Sequence, residues 1–166
     1  MGHQQTLIRI DISKEYLSFS AGHFTLFSAT ERESLHGHNF QVRCSVSAAV
    51  GDNGLAFDYV LLKQVVRTLC DELDERQLLT QLSPFLRLEQ EAGRITAHFG
   101  TEQIQFLERD VLLLPVRNVT IEELAKLLLE RLRHRPELAD QDLRAIELGV
   151  SSGPGQWAFA YWEPTP

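Results

Sequence analysis

The sequence predicts an α+β fold, an antiparallel sheet with two helices on one face, and three observations lead there. Apolar residues recur at every second position through His38, Phe40, Val42, Cys44, Val46 and Ala48, with Asn39, Gln41, Arg43 and Ser45 between them. That is the period of a half-buried strand. Two later stretches place apolar residues at helical spacing behind a capping residue, at Asp58 and at Thr120. Strand-like segments stand before, between and after the helical ones, giving the order ββα(β…)αββ. The 166 residues show no repeat and no low-complexity linker, so the chain reads as one domain, 1–166.

Each element has its own signal. Leu7, Ile8, Ile10, Ile12, Tyr16, Leu17 and Phe19 alternate loosely, which predicts a long strand or strand pair running to about His23. Phe24 to Leu35 has no clear period and carries Glu31, Arg32 and Glu33, a loop. The regular strand of His38 to Ala48 follows and ends at the turn cluster Gly51-Asp52-Asn53-Gly54. Val60, Leu61, Val65, Val66, Leu69 and Leu73 form one helical stripe behind Asp58, and this helix should end near Asp74. Leu79 to Pro84 reads as a loop, and Phe85 to Leu107 as short strands turning at Gly93 and Gly100. The apolar run Val111 to Leu114 leads into the second helix. There Thr120 and Glu123 have the spacing of a capping box, and Leu124, Leu127, Leu128 and Leu132 supply a buried face. A hairpin closes the chain, with Ile146, Leu148 and Val150 before Gly153-Pro154-Gly155 and Trp157, Phe159 and Tyr161 after it.

Composition narrows the function. Sixteen Lys and Arg against 23 Asp and Glu give a net charge of −7, with 43% hydrophobic and 23% charged residues. A chain of this size buries enough surface to fold without disulfides. The negative balance argues against a nucleic-acid partner, which needs a positive footprint, and against docking on an anionic membrane. No apolar run approaches the roughly 20 residues of a transmembrane helix. Met1 to Thr6 lacks the charged-then-apolar layout of a signal peptide, so the expected location is cytoplasmic. Cys44 and Cys70 are too few for a disulfide framework. Asn118-Val119-Thr120 matches a glycosylation pattern by chance in that setting.

The chemistry concentrates on histidines. His36 and His38 are two apart, so on a strand both imidazoles project from one side, with Gly37 between them to permit close approach. His23 ends the preceding strand, and a loop return would bring it beside the pair. Three imidazoles without a fourth protein ligand match a catalytic Zn2+ site, whose open position takes water or substrate. Cys44 lies too far along the strand to close the set. His3 and His134 read as solvated, and His98 as a structural strand residue.

Phe19-Ser20-Ala21-Gly22-His23 followed by Leu35-His36-Gly37-His38-Asn39-Phe40 resembles the 6-pyruvoyltetrahydropterin synthase family, which includes the 6-carboxytetrahydropterin synthases. Gly54-Leu55-Ala56-Phe57-Asp58-Tyr59, Leu62-Lys63, Leu73-Asp74 and Asn118-Val119-Thr120-Ile121-Glu122 agree, so the resemblance covers nearly the whole chain. It implies a tunnelling fold of ββααββ subunits, here with an inserted strand region, assembled as a homo-oligomer (a hexamer made of two trimers) with active sites between subunits. It also implies that His23, His36 and His38 bind Zn2+, which in the family holds oxygens of a pterin side chain while protons move at adjacent carbons. Thr120, Phe24 and Ser152 are the residues the resemblance brings to the substrate.

The sequence departs from the family at the acid–base residues. Most members carry a cysteine just before His-Gly-His; here the loop reads Thr30-Glu31-Arg32-Glu33-Ser34-Leu35. Glu33 stands where type III members, which release 6-hydroxymethyl-dihydropterin, carry a glutamate. Glu75 replaces the histidine of the family's Leu-Asp-His motif, and Val119 replaces a hydroxyl residue. The late-strand glutamate that grips the pterin ring falls at Ser152 or Gly153, with Glu147 several residues too early. Glu33 is therefore the expected catalytic base, its pKa raised by a partly closed pocket, with Asp74 and Glu75 as relay or opposing acid. Three functions remain open on this reading. One is a zinc-dependent lyase or cyclase acting on a non-standard small-molecule substrate. Another is a type III-like enzyme acting on 7,8-dihydroneopterin triphosphate. The third is a non-catalytic, oligomeric zinc-binding module.

Overall fold

The computed structural model describes residues 6–164. Its strands are β1 (Leu7–His23), β2 (His36–Ala49), β3 (Arg76–Thr80), β4 (Arg87–Glu91), β5 (Arg94–Phe99), β6 (Glu102–Leu107), β7 (Val111–Leu114), β8 (Leu143–Gly153) and β9 (Gln156–Trp162). Its helices are α1 (Tyr59–Asp71) and α2 (Ile121–Arg133). The main sheet has the order β7-β3-β1-β2-β8-β9, and β4-β5-β6 form a separate three-stranded sheet. The α+β class and the inserted strands therefore stand as expected. The main sheet is mixed: β1, β2, β8 and β9 pair antiparallel, while β3 and β7 join the β1 edge in parallel. Leu79-Thr80, expected as a loop, end β3, and Val111 to Leu114, expected as a helix approach, form the edge strand β7. Two adjacent apolar residues in β3 and four in β7 carry no readable period, which is why the sequence left them unassigned.

The helices begin as the sequence predicts. The Asp58 carboxylate accepts the Val60 N–H at 2.9 Å and the Leu61 N–H at 3.4 Å. The Thr120 hydroxyl accepts the Glu123 N–H at 3.4 Å. The Glu123 carboxylate accepts the Arg117 N–H at 3.2 Å, so only half of the expected box forms. α1 ends at Asp71, short of Asp74, and its buried stripe takes in Leu62 while Val60 is exposed. Both helices cover one face of the sheet. Leu62, Val66, Leu69, Leu124, Leu128 and Leu132 pack there against Phe19, Phe40, Val42, Cys44, Val46 and Leu148 in the main core. Burial pushes both thiols up to about 12, so Cys44 and Cys70 are inert packing groups.

A bulge in β1 positions everything that follows. β1 pairs with β2 from Leu7↔Ala49 to Ser13↔Arg43, slips, and resumes from Ser18↔Gln41 to His23↔His36. Before the slip the inward residue is Ile12; after it the inward residues are Leu17, Phe19, Ala21 and His23. Side chains alternate with period two, so the slip moves the buried set from even to odd numbers. The loose alternation of the sequence is this change of parity. β2 has no such slip, and His36 and His38 continue the even stripe of Phe40, Val42, Cys44 and Val46.

Candidate metal centre

The three histidines sit where the core stripe runs out at the end of the sheet. His23 is the register partner of His36, and Ala21 that of His38. Ring centroids lie 4.6 Å apart for His23–His36, 5.1 Å for His23–His38 and 4.8 Å for His36–His38. Phe40 closes the inner side, 5.5 Å from both His23 and His38, and stacks on Phe19 at 4.9 Å. Gly37 permits the approach: a Cβ there would stand 3.1 Å from the Ala21 carbonyl oxygen.

Hydrogen bonding fixes two of the rings for ligation. His23 Nδ1 lies 2.8 Å from the Val119 carbonyl oxygen, and His36 Nδ1 lies 2.7 Å from that of Ser34. A carbonyl only accepts, so each Nδ1 carries the proton and each Nε2 presents a lone pair. His23 Nε2 is buried with no hydrogen-bond partner among the described residues. His36 Nε2 lies 3.0 Å from His38 Nε2. One ligand atom from each ring falls within 4.8 Å of the others. An orphaned buried nitrogen facing two further ring nitrogens, with carbonyls setting the tautomers, is a donor set that fits Zn2+. Burial, the largest influence, holds His23 below the ordinary imidazole value against its bond to Val119, and His36 and His38 add to the lowering. Burial also lowers His38, with His36 acting in the same direction. Neutral imidazole is the form that binds metal.

Glu33 shares this site. Its Oε2 accepts the Thr25 N–H at 2.9 Å and lies 4.0 Å from His36 Nε2. Burial works to raise the carboxyl, but the Thr25 hydrogen bonds, with His36 and His23, outweigh it and hold Glu33 below its ordinary value. The expectation that burial lifts Glu33 toward neutrality is corrected by those bonds; the group is ionised at neutral pH. A cavity of about 540 Å³ opens over His23, His36 and His38, and Thr25, Glu33, Thr120, Glu122, Ser152 and Gln156 also line it. Ser152 belongs there because it continues the inward side of β8 two residues beyond Val150.

Other sequence candidates lie elsewhere. Phe24 is 4% exposed and belongs to a second core with Leu26, Leu79, Ile95 and Phe99, under the inserted sheet. Asp74 Oδ1 accepts the Ser20 N–H at 2.7 Å, and the Glu75 N–H donates to the Ser20 carbonyl at 2.7 Å. These bonds hold Glu75 at φ 55°, a left-handed conformation that costs a non-glycine residue about 1–2 kcal/mol. Glu75 lines a second cavity of about 530 Å³ with Ser20, Gly22, Gly37, Asn39 and Arg76, mainly on the reverse face of β1 and β2, and His38 borders it as well. Within one chain, then, neither acid joins the histidine cavity. His98 Nε2 pairs with Glu89 Oε2 at 3.0 Å and His134 Nδ1 donates to the Glu130 carbonyl at 2.7 Å; His3 lies outside the described residues. The Asn118 amide is spent internally, donating to the Leu26 carbonyl at 2.8 Å and accepting the Leu26 N–H at 3.1 Å. Glu122 and Gln156 were missed. Glu122 was legible in principle, two residues beyond a cap already placed at the site.

The sequence model of 6-pyruvoyl tetrahydropterin synthase matches residues 11–163. The chain belongs to that family. A Methanocaldococcus jannaschii protein, provisionally named a 6-carboxy-5,6,7,8-tetrahydropterin synthase, is 26% identical over 144 residues, which span 86% of this chain and 88% of that one. Among solved structures, the 6-pyruvoyl tetrahydropterin synthase of Plasmodium falciparum superposes with a TM-score of 0.90 at 28% identity, over 96% of this chain and 99% of that one. That of Plasmodium vivax gives 0.90 at 25% identity over the same shares, 96% and 99%. Two variants of the P. vivax protein, described as catalytic-residue mutants, replace a glutamate with alanine or cysteine. Membership of the 6-pyruvoyl tetrahydropterin synthase family places the chain among pterin synthase-like proteins and accounts for the α+β tunnelling fold. No helix among the described residues is long and apolar enough to cross a membrane.

Proposed function

We propose that the chain is a zinc-dependent lyase in which His23, His36 and His38 hold Zn2+ and Glu33 takes a proton from the substrate. The observation that carries this reading is the convergence of three ring nitrogens on a cavity whose wall also holds an ionised carboxylate, Glu33 Oε2, 4.0 Å from His36 Nε2. Zinc, when bound, supplies a Lewis acid that polarises a substrate oxygen and stabilises the charge left by a departing proton. The chain supplies the rest. The Val119 and Ser34 carbonyls orient two of the rings, and the Thr25 N–H aims Glu33. Thr120, Ser152 and Glu122 line the wall that meets the remainder of a small-molecule substrate. Ser152, in place of a ring-gripping glutamate, supports a substrate other than the family's usual pterin.

A second reading is cleavage of a carbon–carbon bond in the side chain of 7,8-dihydroneopterin triphosphate to give 6-hydroxymethyl-dihydropterin. The position of Glu33 on the cavity favours it, as does the catalytic glutamate of the P. vivax relative. Both readings include a homo-oligomer with sites between subunits. Supporting this, the edge strand β9 exposes Trp157, Phe159 and Tyr161 on one face. Asp74 and Glu75, held on the reverse face of the sheet, would then serve as relay groups in a neighbouring copy's site.

The deciding experiment incubates the zinc-loaded protein with 7,8-dihydroneopterin triphosphate and identifies products by mass spectrometry. 6-Hydroxymethyl-dihydropterin selects the second reading. No product, with one zinc per chain, removes the second reading and favours a family member recruited to another molecule. A protein that binds no zinc overturns both.

A further inference from the structure

We propose that Arg32 is a positioning residue, which clamps the Glu33 loop onto the inserted β4-β5-β6 sheet and so fixes the carboxylate at the mouth of the cavity. The proposal rests on the reading of Glu33 as the base. Its support is a set of contacts that converge on one guanidinium. Arg32 Nη1 donates to the Glu33 carbonyl oxygen at 2.7 Å. Arg32 Nε donates to Glu102 Oε2 on β6 at 2.7 Å, and Nη2 lies 2.5 Å from the same oxygen. The guanidinium carbon stands 5.4 Å from the Phe24 ring centroid and 5.8 Å from that of Phe99 on β5. One side chain thus grips the backbone of Glu33, the second core and the edge strand of the inserted sheet.

The loop it holds is compact. Glu33 N–H donates to the Thr25 carbonyl at 2.8 Å, Leu26 and Arg32 form an isolated antiparallel bridge, and the Phe27 and Ser28 N–H groups close on the Glu31 carbonyl. These bonds shape the loop but do not attach it to the rest of the protein. Attachment at the Thr25 end comes from Phe24 and Leu26, buried in the second core, and from Asn118, which bridges both backbone groups of Leu26; at the Glu33 end it comes from the Ser34 carbonyl on His36 Nδ1 and from Arg32. Asn118 fixes the Thr25 side of the loop and Arg32 the Glu33 side. Arg32 is only 17% exposed at its side chain, and guanidinium is the cation suited to this place. It stacks on aromatic faces while its planar fork engages a carboxylate and a carbonyl together, which a lysine ammonium does not reproduce. The inserted sheet thereby gains a role: it is the platform against which the base is held.

The test compares Arg32→Gln and Glu102→Gln, singly and together, with the wild-type protein. Hydrogen–deuterium exchange of the amides of residues 25–33 is the readout that needs no substrate. Zinc per chain and the thermal midpoint are measured alongside. The expected result is at least about tenfold faster exchange at Thr25 and Glu33 in Arg32→Gln, with zinc at one per chain. Glu102→Gln moves the same way by less, and the double variant adds little to Arg32→Gln because both remove one clamp. Turnover of the substrate that the product assay identifies then falls about tenfold or more in kcat with KM within twofold, since misplacement of a base affects the reacting step more than binding. Arg32→Lys retains little of the wild-type rate. Unchanged exchange at residues 25–33 in Arg32→Gln overturns the clamp, as does a loss confined to KM. If Glu33→Gln keeps wild-type turnover while the Arg32 and Glu102 variants exchange as expected, the clamp stands and the role of Glu33 as base falls.

Discussion

Replacing Glu33 by glutamine separates a chemical role from a structural one, because the two carry very different magnitudes here. The side chain keeps its length, and the amide oxygen can still accept the Thr25 N–H that the carboxylate accepts at 2.9 Å. What disappears is the ability to take a proton, and the ion pair that Glu33 makes with His36, 4.0 Å away, whenever that ring is protonated. Both members of that pair are about one third exposed, 35% and 36%, so the attraction is worth less than about 1 kcal/mol. In a chain of this size that moves the thermal midpoint by no more than about 4 °C. A positioned general base contributes about 10²–10⁴-fold to the rate, or about 2.7–5.5 kcal/mol of barrier. Glu33→Gln should therefore lose at least about a hundredfold in kcat while zinc stays at one per chain and the midpoint scarcely moves. The assay is single-turnover product formation by mass spectrometry, run beside metal analysis and calorimetry. Activity within about tenfold of wild type with zinc in place would remove Glu33 as the base. A midpoint lowered by well over 4 °C with loss of zinc would assign it to holding the site together instead.

His36→Ala should weaken zinc binding by more than about a hundredfold in a chelator competition, since even changes outside the ligand shell cost about 10–100-fold; occupancy near one per chain would place the metal elsewhere. Glu122→Gln should raise KM about tenfold or more with kcat retained, because among the described residues no hydrogen bond or ion pair engages this carboxylate, and a charge-assisted bond to substrate is worth about 1.5–3 kcal/mol. An unchanged KM would show that the substrate is anchored by another group. In metal-free protein, the unprotonated state of buried His23 and half-buried His38 should make stability depend on pH. Both lie below the ordinary value of 6.5, so the folded chain binds fewer protons than the unfolded chain just below that pH. Stability is fully present above about 6.5 and is lost as pH falls below it, and Glu33, also held low, contributes a further loss below the ordinary value of 4.5. Urea midpoints measured from pH 8 to 5 should fall toward the acid end, and a flat profile would contradict neutral buried rings.

The legible parts of this protein are those in which one residue type repeats at a fixed spacing. His36 and His38 stand in phase with Phe40 to Ala48, so their common side could be read directly, and the caps at Asp58 and Thr120 announced both helices. His23 was legible as a ligand only through its neighbours. Counting by twos from Ile12 puts it on the wrong side of the sheet, and the bulge between Ser13 and Ser18 corrects the count. The parallel strands β3 and β7 were hidden because each is five residues or fewer, with no alternation to betray it. The side of the sheet that Glu75 takes was hidden for a related reason. Its direction is set by a left-handed backbone and two bonds to Ser20, and neither leaves a mark in the sequence. Arg32 looked like one loop charge among three. Only the fold brings Glu102, 70 positions away, to meet it.

The contrast between the ligands and the base has a physical origin. His23, His36 and His38 extend the packed stripe of the main core, where side chains interdigitate and have little freedom to move. The tautomer of His23 is set by the carbonyl of Val119, which the same packing holds, and that of His36 by the carbonyl of Ser34. A metal site built this way tolerates change in the loop above it, because no ligand depends on that loop except through the Ser34 carbonyl. Glu33 has the opposite situation. It belongs to a segment without regular structure, and its direction depends on Thr25, Asn118 and Arg32, none of which reaches the core stripe. On the proposed reading of Glu33 as base, the acid–base group can therefore change identity without disturbing the histidines. Substitutions in the loop 24–35 should accordingly alter which proton is moved, and substitutions in the stripe from Phe19 to Phe40 should alter whether metal binds at all. A loop variant that lost zinc with the stripe intact would break that division.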